Sequence, residues 1–379
     1  MSDSTVYDVA IVGGGLAGLS LAIQSAQHGY SVVLFEKENY PFHKVCGEYI
    51  SLESWNFLES LGVPLGDLKL PIIKKLETTD TTGKLYNFSL PQGGFGISRF
   101  LLDDTLYKIA LKLGVHVLVK TKVNNVLFMQ EQFKIETQSG EYFSKVAAGS
   151  YGKRGNLDIK LERNFVDKKA GKLENYIGVK YHVQYPQVVD TIALHNFENG
   201  YCGISNIEAK RCCLCYLTTA NNLQISGNSI SAMEEKILGK NPALKKIFNE
   251  CEILYDQPLV ISQISFSNKT QVEGNMLMIG DAAGMITPLC GNGMSMAMQG
   301  SKIAFGFIHK FLQKQINREQ MELEYVRKWK AEFGSRLKIG RIVQGLFGGA
   351  ASTSVFLKLM KALPALATQV IKSTHGKPF

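Results

Sequence analysis

A short apolar strand that runs directly into a glycine-rich turn and a helix constrains the fold of this chain most. A strand is predicted over residues 9–12, and apolar residues at helical spacing predict a helix over residues 16–27. In the GxGxxG pattern between them, Gly13 permits the sharp turn, Gly15 lets a phosphate approach the backbone, and Gly18 lets the helix pack against the strand. The free N–H groups at the start of this helix favour an anion. The segment therefore predicts a binding site for the pyrophosphate of a dinucleotide.

A second apolar strand, within residues 29–36, follows the helix and ends in an acid. Glu36 lies at the sequence distance expected for a carboxylate that binds the ribose of a dinucleotide, and the adjacent Lys37 is assigned to the same site. FAD and NAD both fit this arrangement. The choice between them therefore depends on the rest of the chain.

A third segment, far along the chain, favours FAD. Residues 277–280 predict a buried strand that ends at Asp281, and the small residues at 282–284 allow a helix or loop to lie close to a bound cofactor. Residues 288–294 then form a glycine-bounded turn before another predicted helix. The N–H groups and the dipole at the start of that helix would face the electron density of a reduced ring.

Together these segments resemble the FAD-dependent oxidoreductases that include geranylgeranyl reductases, hydroxylases of the p-hydroxybenzoate hydroxylase type and flavin-dependent halogenases. The resemblance covers about residues 7–308 and implies FAD as the cofactor. It implies that Asp281 binds the ribityl chain and that Arg99, at the start of its helix, touches the cofactor. The further cofactor-binding positions, with the last four at the pyrimidine end of the isoalloxazine, are Gly280, Gly291, Asn292, Gly293 and Met294.

Within this group, residues 44–51 are similar to the Cys-Gly-Glu stretch of the geranylgeranyl reductases. That similarity places Cys46 beside the flavin and near the substrate. A reductase that delivers hydride from flavin N5 to one alkene carbon needs a proton for the other carbon, and a thiol is a candidate donor. The alternative is that Cys46 is a small buried apolar side chain. Glu48 is interpreted as a helix cap or a surface acid, without a role in proton transfer.

Three departures from the family's patterns limit how far its chemistry extends to this chain. Tyr151 stands where the hydroxylases usually carry an aspartate, which argues against their handling of nicotinamide. Residues 199–206 resemble a reductase strand but lack its tryptophan, phenylalanine and proline, so the substrate pocket is reshaped. The tryptophan signature of the halogenases is absent, since the only tryptophans are Trp55 and Trp329. Halogenation is therefore a minor alternative.

Composition agrees with a cytoplasmic enzyme that has a large core: 45% of the 379 residues are hydrophobic, and no secretory leader is recognised. The seven cysteines indicate reduced thiols. Although Cys212 and Cys215 have CxxC spacing, residues 211–219 predict a strand whose side chains alternate between faces, and no metal site is expected. The net charge of +9 is compatible with an anionic substrate head or an anionic lipid surface. Nothing resembles a nucleic-acid motif.

The predicted fold class is α/β, with a Rossmann-like FAD-binding domain interleaved with an antiparallel-sheet substrate domain and a C-terminal helical segment. The FAD-binding domain is expected in three parts, and two other segments build the substrate sheet. The predicted boundaries are 1–71, 97–161 and 267–310 for FAD binding, 72–96 and 162–266 for the substrate sheet, and 311–379 for the C-terminal helical cap.

The C-terminal segment bears on the class of substrate. Val355, Leu359, Leu363 and Leu366 alternate with lysines. This pattern fits either a cap over the substrate channel, which is preferred, or an amphipathic contact with the inner face of a membrane.

The sequence thus predicts an FAD-dependent reductase of double bonds in a large apolar or lipid-like substrate of the isoprenoid type. NAD(P)H or an electron-donor protein would reduce the flavin. One alternative is an FAD-dependent monooxygenase that hydroxylates an aromatic or lipid substrate, and the other is a lipid-binding module without turnover. The sequence leaves the oligomeric state open.

Overall fold

A computed structural model describes residues 6–153, 155–166, 176–264 and 266–379. Its elements form two sheets with helices packed on them, and the predicted fold class is confirmed. The strands are β1 (Val6–Val12), β2 (Val32–Phe35), β3 (Tyr49–Ser51), β4 (Ile72–Thr79), β5 (Leu85–Gly96), β6 (His116–Leu118), β7 (Val123–Met129), β8 (Gln132–Thr137), β9 (Glu141–Gly149), β10 (Tyr176–Gln184), β11 (Thr191–Phe197), β12 (Gly200–Asn206), β13 (Cys212–Thr219), β14 (Glu252–Ile253), β15 (Leu259–Ile264), β16 (Val272–Glu273) and β17 (Met276–Met278).

The helices lie between these strands and at the end of the chain. They are α1 (Leu16–Gln27), α2 (Trp55–Ser60), α3 (Arg99–Lys112), α4 (Asn156–Lys160), α5 (Ala220–Ile225), α6 (Ile230–Lys236), α7 (Pro242–Glu250), α8 (Gly293–Leu312), α9 (Arg318–Leu346), α10 (Ala350–Ala362) and α11 (Pro364–Thr374). Short 3-10 turns occur at Leu52–Ser54, Glu208–Lys210, Leu238–Lys240, Gly280–Ala282 and Pro288–Cys290.

The first sheet has the strand order β16-β17-β9-β1-β2-β6 and carries the nucleotide-binding turn. Its central strands are parallel, with Val9 beside Val32 and Ala10 beside Ala147. Residues 9–11 and 146–148 are fully buried, as expected for parallel strands covered on both faces. The carboxyl ends of β1 and β2 therefore meet at one edge of the sheet, where a ligand has access.

The second sheet has the strand order β14-β10-β13-β12-β11-β4-β5-β3, and β15 also pairs with β10. It is antiparallel apart from the parallel pair β4 and β11. The Gly93–Gly94 pair, a composition that favours turns, does not end the strand. Gly93 has a φ of 69° beside a register shift, so β5 continues through a bulge to Gly96.

The C-terminal helices are separated where the sequence contains glycine and proline. An Asn317–Gln320 capping box begins α9, which ends at Leu346, before Gly348 and Gly349. Pro364 begins α11, because proline is favoured in the first turn of a helix. Among the described residues, no single helix is long and apolar enough to cross a membrane; α9 and α10 together meet that test but are bent by 118°.

Candidate functional site

The glycine turn after β1 has the close packing that the GxGxxG pattern predicts. Gly13 has a φ of 107°, which glycine adopts readily. A Cβ at Gly18 would lie 2.0 Å from the Gly13 carbonyl oxygen, so α1 approaches the strand as closely as a glycine allows. Gly14 is equally restricted, because a Cβ there would lie 1.9 Å from the Tyr40 hydroxyl.

Glu36 lies at the end of β2, beside this turn. Its carboxylate is buried and accepts hydrogen bonds from the N–H of Gly14 at 2.9 Å and of Glu38 at 3.0 Å. These bonds fix the acid next to the N-terminus of α1. The Lys37 side chain, by contrast, is 71% exposed, and its Nζ lies 3.8 Å from Glu38 Oε1.

Two cations face the start of α1. Gly15 is its N-cap and forms no side-chain cap, and a Cβ at Gly15 would lie 3.7 Å from Lys44 Nζ and 3.8 Å from Arg99 Nη2. Both cations are held by Asp103, with Lys44 Nζ at 3.1 Å and Arg99 Nη2 at 2.7 Å from Oδ2. Burial alone would raise the pKa of Asp103, but Arg99 and Lys44 lower it below its usual value. The carboxylate therefore remains charged and fixes both cations.

Asp281 lies in the 3-10 turn that follows β17, close to α1. Gly280 before it has a φ of 61°, and a Cβ there would lie 3.0 Å from Ala17 Cβ. Lys269 Nζ donates to the Asp281 carbonyl at 2.9 Å and to the Lys153 carbonyl at 2.6 Å. Burial lowers the pKa of Lys269 to about 8.

The loop before α8 brings four predicted positions together. Gly291 has a φ of 64° and lies against the Tyr49 ring, and Asn292 is the N-cap of α8 without a side-chain cap bond. The Asn292 side chain is buried and donates to the Thr374 carbonyl at 2.9 Å. The helix therefore begins with Gly293 and Met294, and its N-terminal amides are not covered by a side chain.

Cys46 lies beside this helix start. Its Sγ is 3.5 Å from Met294 Sδ, so the predicted thiol and the predicted pyrimidine-end loop are neighbours. The side chain is half-buried.

These residues fit FAD. The glycine turn leaves room at Gly15, two fixed cations face that room, and the uncapped N-terminus of α1 adds partial positive charge, which together suit a pyrophosphate. Glu36 supplies a carboxylate at the position for a ribose. The turn that contains Asp281 lies against α1, since a Cβ at Gly280 would be 3.0 Å from Ala17 Cβ and 3.7 Å from Ala297 Cβ of α8.

A buried charged cluster lies behind Cys46 and was not predicted. Glu48 is fully buried in the left-handed region at φ 54°, so the interpretation as a surface acid was wrong. Lys180 Nζ donates to Glu48 Oε1, and His182 Nε2 lies 2.6 Å from Oε2. The Arg99 N–H donates to Glu48 at 2.8 Å, so this carboxylate also caps α3. Burial opposes ionisation, but His182 and Lys180 lower the pKa of Glu48.

One face of the second sheet supports the Cys46 segment. In the antiparallel register, Lys180 is opposite Cys215 and His182 is opposite Cys213, so all four side chains share that face. Cys213 Sγ donates to the Cys46 carbonyl at 3.3 Å. Burial raises the pKa of Cys213 far above its usual value and that of Cys215 to about 12.

An apolar pocket lies next to Tyr49, between the second sheet and the C-terminal helices. It encloses about 100 Å³, and Gly291 and Tyr49 form its wall nearest the predicted flavin loop. The Tyr49 hydroxyl is buried without a hydrogen-bond partner in the described part of the chain. The other residues that line the pocket are Leu76, Thr78, Phe88, Leu90, Ile192, Leu194, Leu289, Val343, Phe347, Phe356, Leu357, Met360, Val370, Ile371, Thr374 and His375.

Known proteins that are similar to this chain agree with these motifs. A family model described as FAD dependent oxidoreductase matches residues 8–44. Conditioned medium factor receptor 1 of Dictyostelium discoideum is 25% identical, over 88% of this chain and 69% of that protein. Digeranylgeranylglycerophospholipid reductase 1 of Methanococcoides burtonii is 24% identical, over 90% and 84%.

A solved structure has the same fold as this chain. The flavin-dependent brominase Bmp2 superimposes with a TM-score of 0.80 at 19% identity, covering 98% of this chain and 93% of that one. Its low identity makes it evidence for the fold alone. The chain therefore carries a FAD-dependent oxidoreductase domain, it is similar over most of its length to geranylgeranyl reductase-like enzymes, and its cofactor is FAD.

Proposed function

We propose that this enzyme reduces double bonds in a large apolar, lipid-like substrate. The observation that carries the proposal is the apolar pocket, which has the flavin loop residue Gly291 in one wall and is covered by α10 and α11. Apolar pockets with few polar groups bind hydrocarbon by burial and leave orientation to those few groups. The reductase from Methanococcoides burtonii, named for a digeranylgeranyl lipid, supports the same class of substrate.

When bound, FAD supplies hydride for transfer to a substrate carbon. Lys44, Arg99 and the turn at Gly15 would hold its pyrophosphate, Glu36 its ribose, and Asp281 its ribityl chain. The N-terminus of α8 would stabilise negative charge at the pyrimidine end, because its first N–H groups and dipole are uncapped.

The protein's own chemical contribution in this proposal is exclusion of water and delivery of one proton. The pocket wall is mostly apolar, so a bound alkene would displace water from it. Cys46 lies beside the start of α8. Its thiol would give a proton to the second alkene carbon. A water molecule would then return a proton to the sulfur.

The proposal is tested by following the flavin absorbance of the purified protein after anaerobic reduction. Addition of a polyprenyl lipid without oxygen should reoxidise the flavin, and mass spectrometry should find a product that has gained a pair of hydrogen atoms. Reoxidation that requires oxygen, with a product that has gained an oxygen atom, would instead support the monooxygenase. Purification without bound flavin would support the lipid-binding module.

Replacement of Cys46 by serine should slow this anaerobic reoxidation by about tenfold or more, because an alcohol is a weaker acid than a thiol and general acid catalysis contributes about 10² to 10⁴ in rate. Flavin content should stay unchanged. Tyr49→Phe is the matched comparison, because the buried Tyr49 hydroxyl lies in the pocket wall and is another candidate proton donor. The reoxidation rate of this variant should stay within about twofold of that of the unmodified protein. A slow Tyr49→Phe variant together with an unchanged Cys46→Ser variant would instead identify Tyr49 as the proton donor.

A further inference from the structure

The corner between α10 and α11 exposes several apolar side chains. Residues 361–366 are all exposed. The four residues of the predicted C-terminal stripe face solvent, with exposed fractions of 64% for Val355, 46% for Leu359, 50% for Leu363 and 37% for Leu366. We call these four residues the apolar corner.

The opposite faces of the same helices are also apolar. Leu357 and Met360 of α10, and Val370 and Ile371 of α11, line the pocket. The helices therefore cover the pocket with one face and present the apolar corner with the other. Apolar side chains gathered on an exposed face are typical of a surface that contacts a partner or a membrane.

The charge around the corner points to the kind of partner. Residues 337–379 contain no aspartate or glutamate and six basic residues, namely Lys338, Arg341, Lys358, Lys361, Lys372 and Lys377. Lys358 and Lys361 are exposed on α10 beside Leu359. Lysines can extend their ammonium groups to lipid phosphates while their stems lie along apolar surface.

We propose that the apolar corner docks on the surface of a bilayer that contains anionic lipid. Insertion of the four apolar side chains and contact of the surrounding lysines with head groups would hold the pocket's cover at the membrane surface. This inference builds on the proposed function, because a lipid-like substrate would leave a bilayer next to the helices that cover its pocket. Vesicle binding is nevertheless measured without any turnover.

Flotation of the purified holoenzyme with vesicles tests the proposal. Binding should be at least about tenfold stronger to phosphatidylglycerol-containing vesicles than to pure phosphatidylcholine, and it should weaken as salt is raised. The double variant Leu359→Gln, Leu363→Gln should bind about tenfold or more weakly, because it removes two inserting side chains. Ile225→Gln is the matched control, since Ile225 is 69% exposed on α5, and it should bind as the unmodified protein does.

Two outcomes would overturn the proposal: equal binding by the double variant and the control, or no vesicle binding together with concentration-dependent self-association that the double variant abolishes. The second result would assign the apolar corner to another copy of this chain. Turnover of detergent-dispersed substrate should be unchanged in the double variant. If no lipid is ever reduced but binding still depends on Leu359 and Leu363, the docking surface stands and the proposed function fails.

Discussion

Replacement of Glu48 by glutamine is expected to lower the free energy of unfolding by about 3 kcal/mol or more. The Glu48 carboxylate is fully buried and pairs with two buried side chains, Lys180 and His182. Removal of one partner from such a cluster leaves an uncompensated charge in the interior, which costs about 3–5 kcal/mol in comparable cases. Denaturant unfolding of the purified variant measures the loss.

Two further variants distinguish this explanation from a general loss of packing. The double variant Glu48→Gln, Lys180→Met should recover much of the loss, because it also removes the unpaired ammonium. Asp190→Asn breaks the exposed pair with Lys75 and should cost at most about 1 kcal/mol. A double variant no more stable than Glu48→Gln alone would contradict the charge argument.

The same cluster predicts how stability depends on pH. The pKa of Glu48 is lowered in the folded protein from an ordinary value of 4.5, so the unfolded chain binds a proton more readily. Its contribution to stability is therefore fully present above pH 4.5 and is lost as the pH falls through the folded-state pKa. The double variant should lose less stability than the unmodified protein in this acid range.

Replacement of Gly18 by alanine should abolish most FAD binding and destabilise the fold. The new Cβ would lie 2.0 Å from the Gly13 carbonyl oxygen and 2.5 Å from Ser150 Oγ. The Gly13 backbone can avoid this clash only if α1 moves away from β1. Overpacking of this kind costs about 1–3 kcal/mol. The ratio of flavin to protein absorbance after purification should fall by about tenfold, because the displaced turn no longer presents its N–H groups to the pyrophosphate.

Gly306→Ala is the matched control for this substitution. Gly306 lies within α8, where a Cβ would meet nothing within 4 Å. Alanine should keep full flavin content there and raise stability by up to about 1 kcal/mol, because glycine is the poorer helix former. A Gly18→Ala protein with the flavin content and melting temperature of the control would show that the close contact is not required.

The sequence predicts the nucleotide-binding part of the fold because its determinants are local. The apolar run of β1, the glycine spacing before α1 and the acid at the end of β2 all lie within residues 8–36. Parallel strands bring their carboxyl ends to one edge of the sheet, whatever the length of the loops between them. The contacts of Arg99 with Asp103 also lie within one turn of helix, although the role of Asp103 was not predicted.

The charged cluster could not be predicted in this way. Glu48 lies 132 residues from Lys180 and 134 from His182, and they meet only because β10 lies beneath the loop that contains Cys46. A signal was nonetheless present, since Lys180 and His182 sit two residues apart in an otherwise apolar strand. The four residues of the apolar corner were predicted as an apolar pattern. Whether their side chains face the pocket or solvent depends on how α10 packs on the second sheet.

The order in which the strands occur along the chain has a consequence for synthesis on the ribosome. In the second sheet, β4 pairs in parallel with β11, more than a hundred residues later, and the first sheet receives β17 only after β15 has been made. Neither sheet can be completed until most of the chain has emerged. An early strand such as β4 must wait with the edge that will meet β11 unpaired, and pairings of such long range form slowly. The nascent chain is therefore exposed to misassembly for longer than a protein of the same length built from consecutive domains.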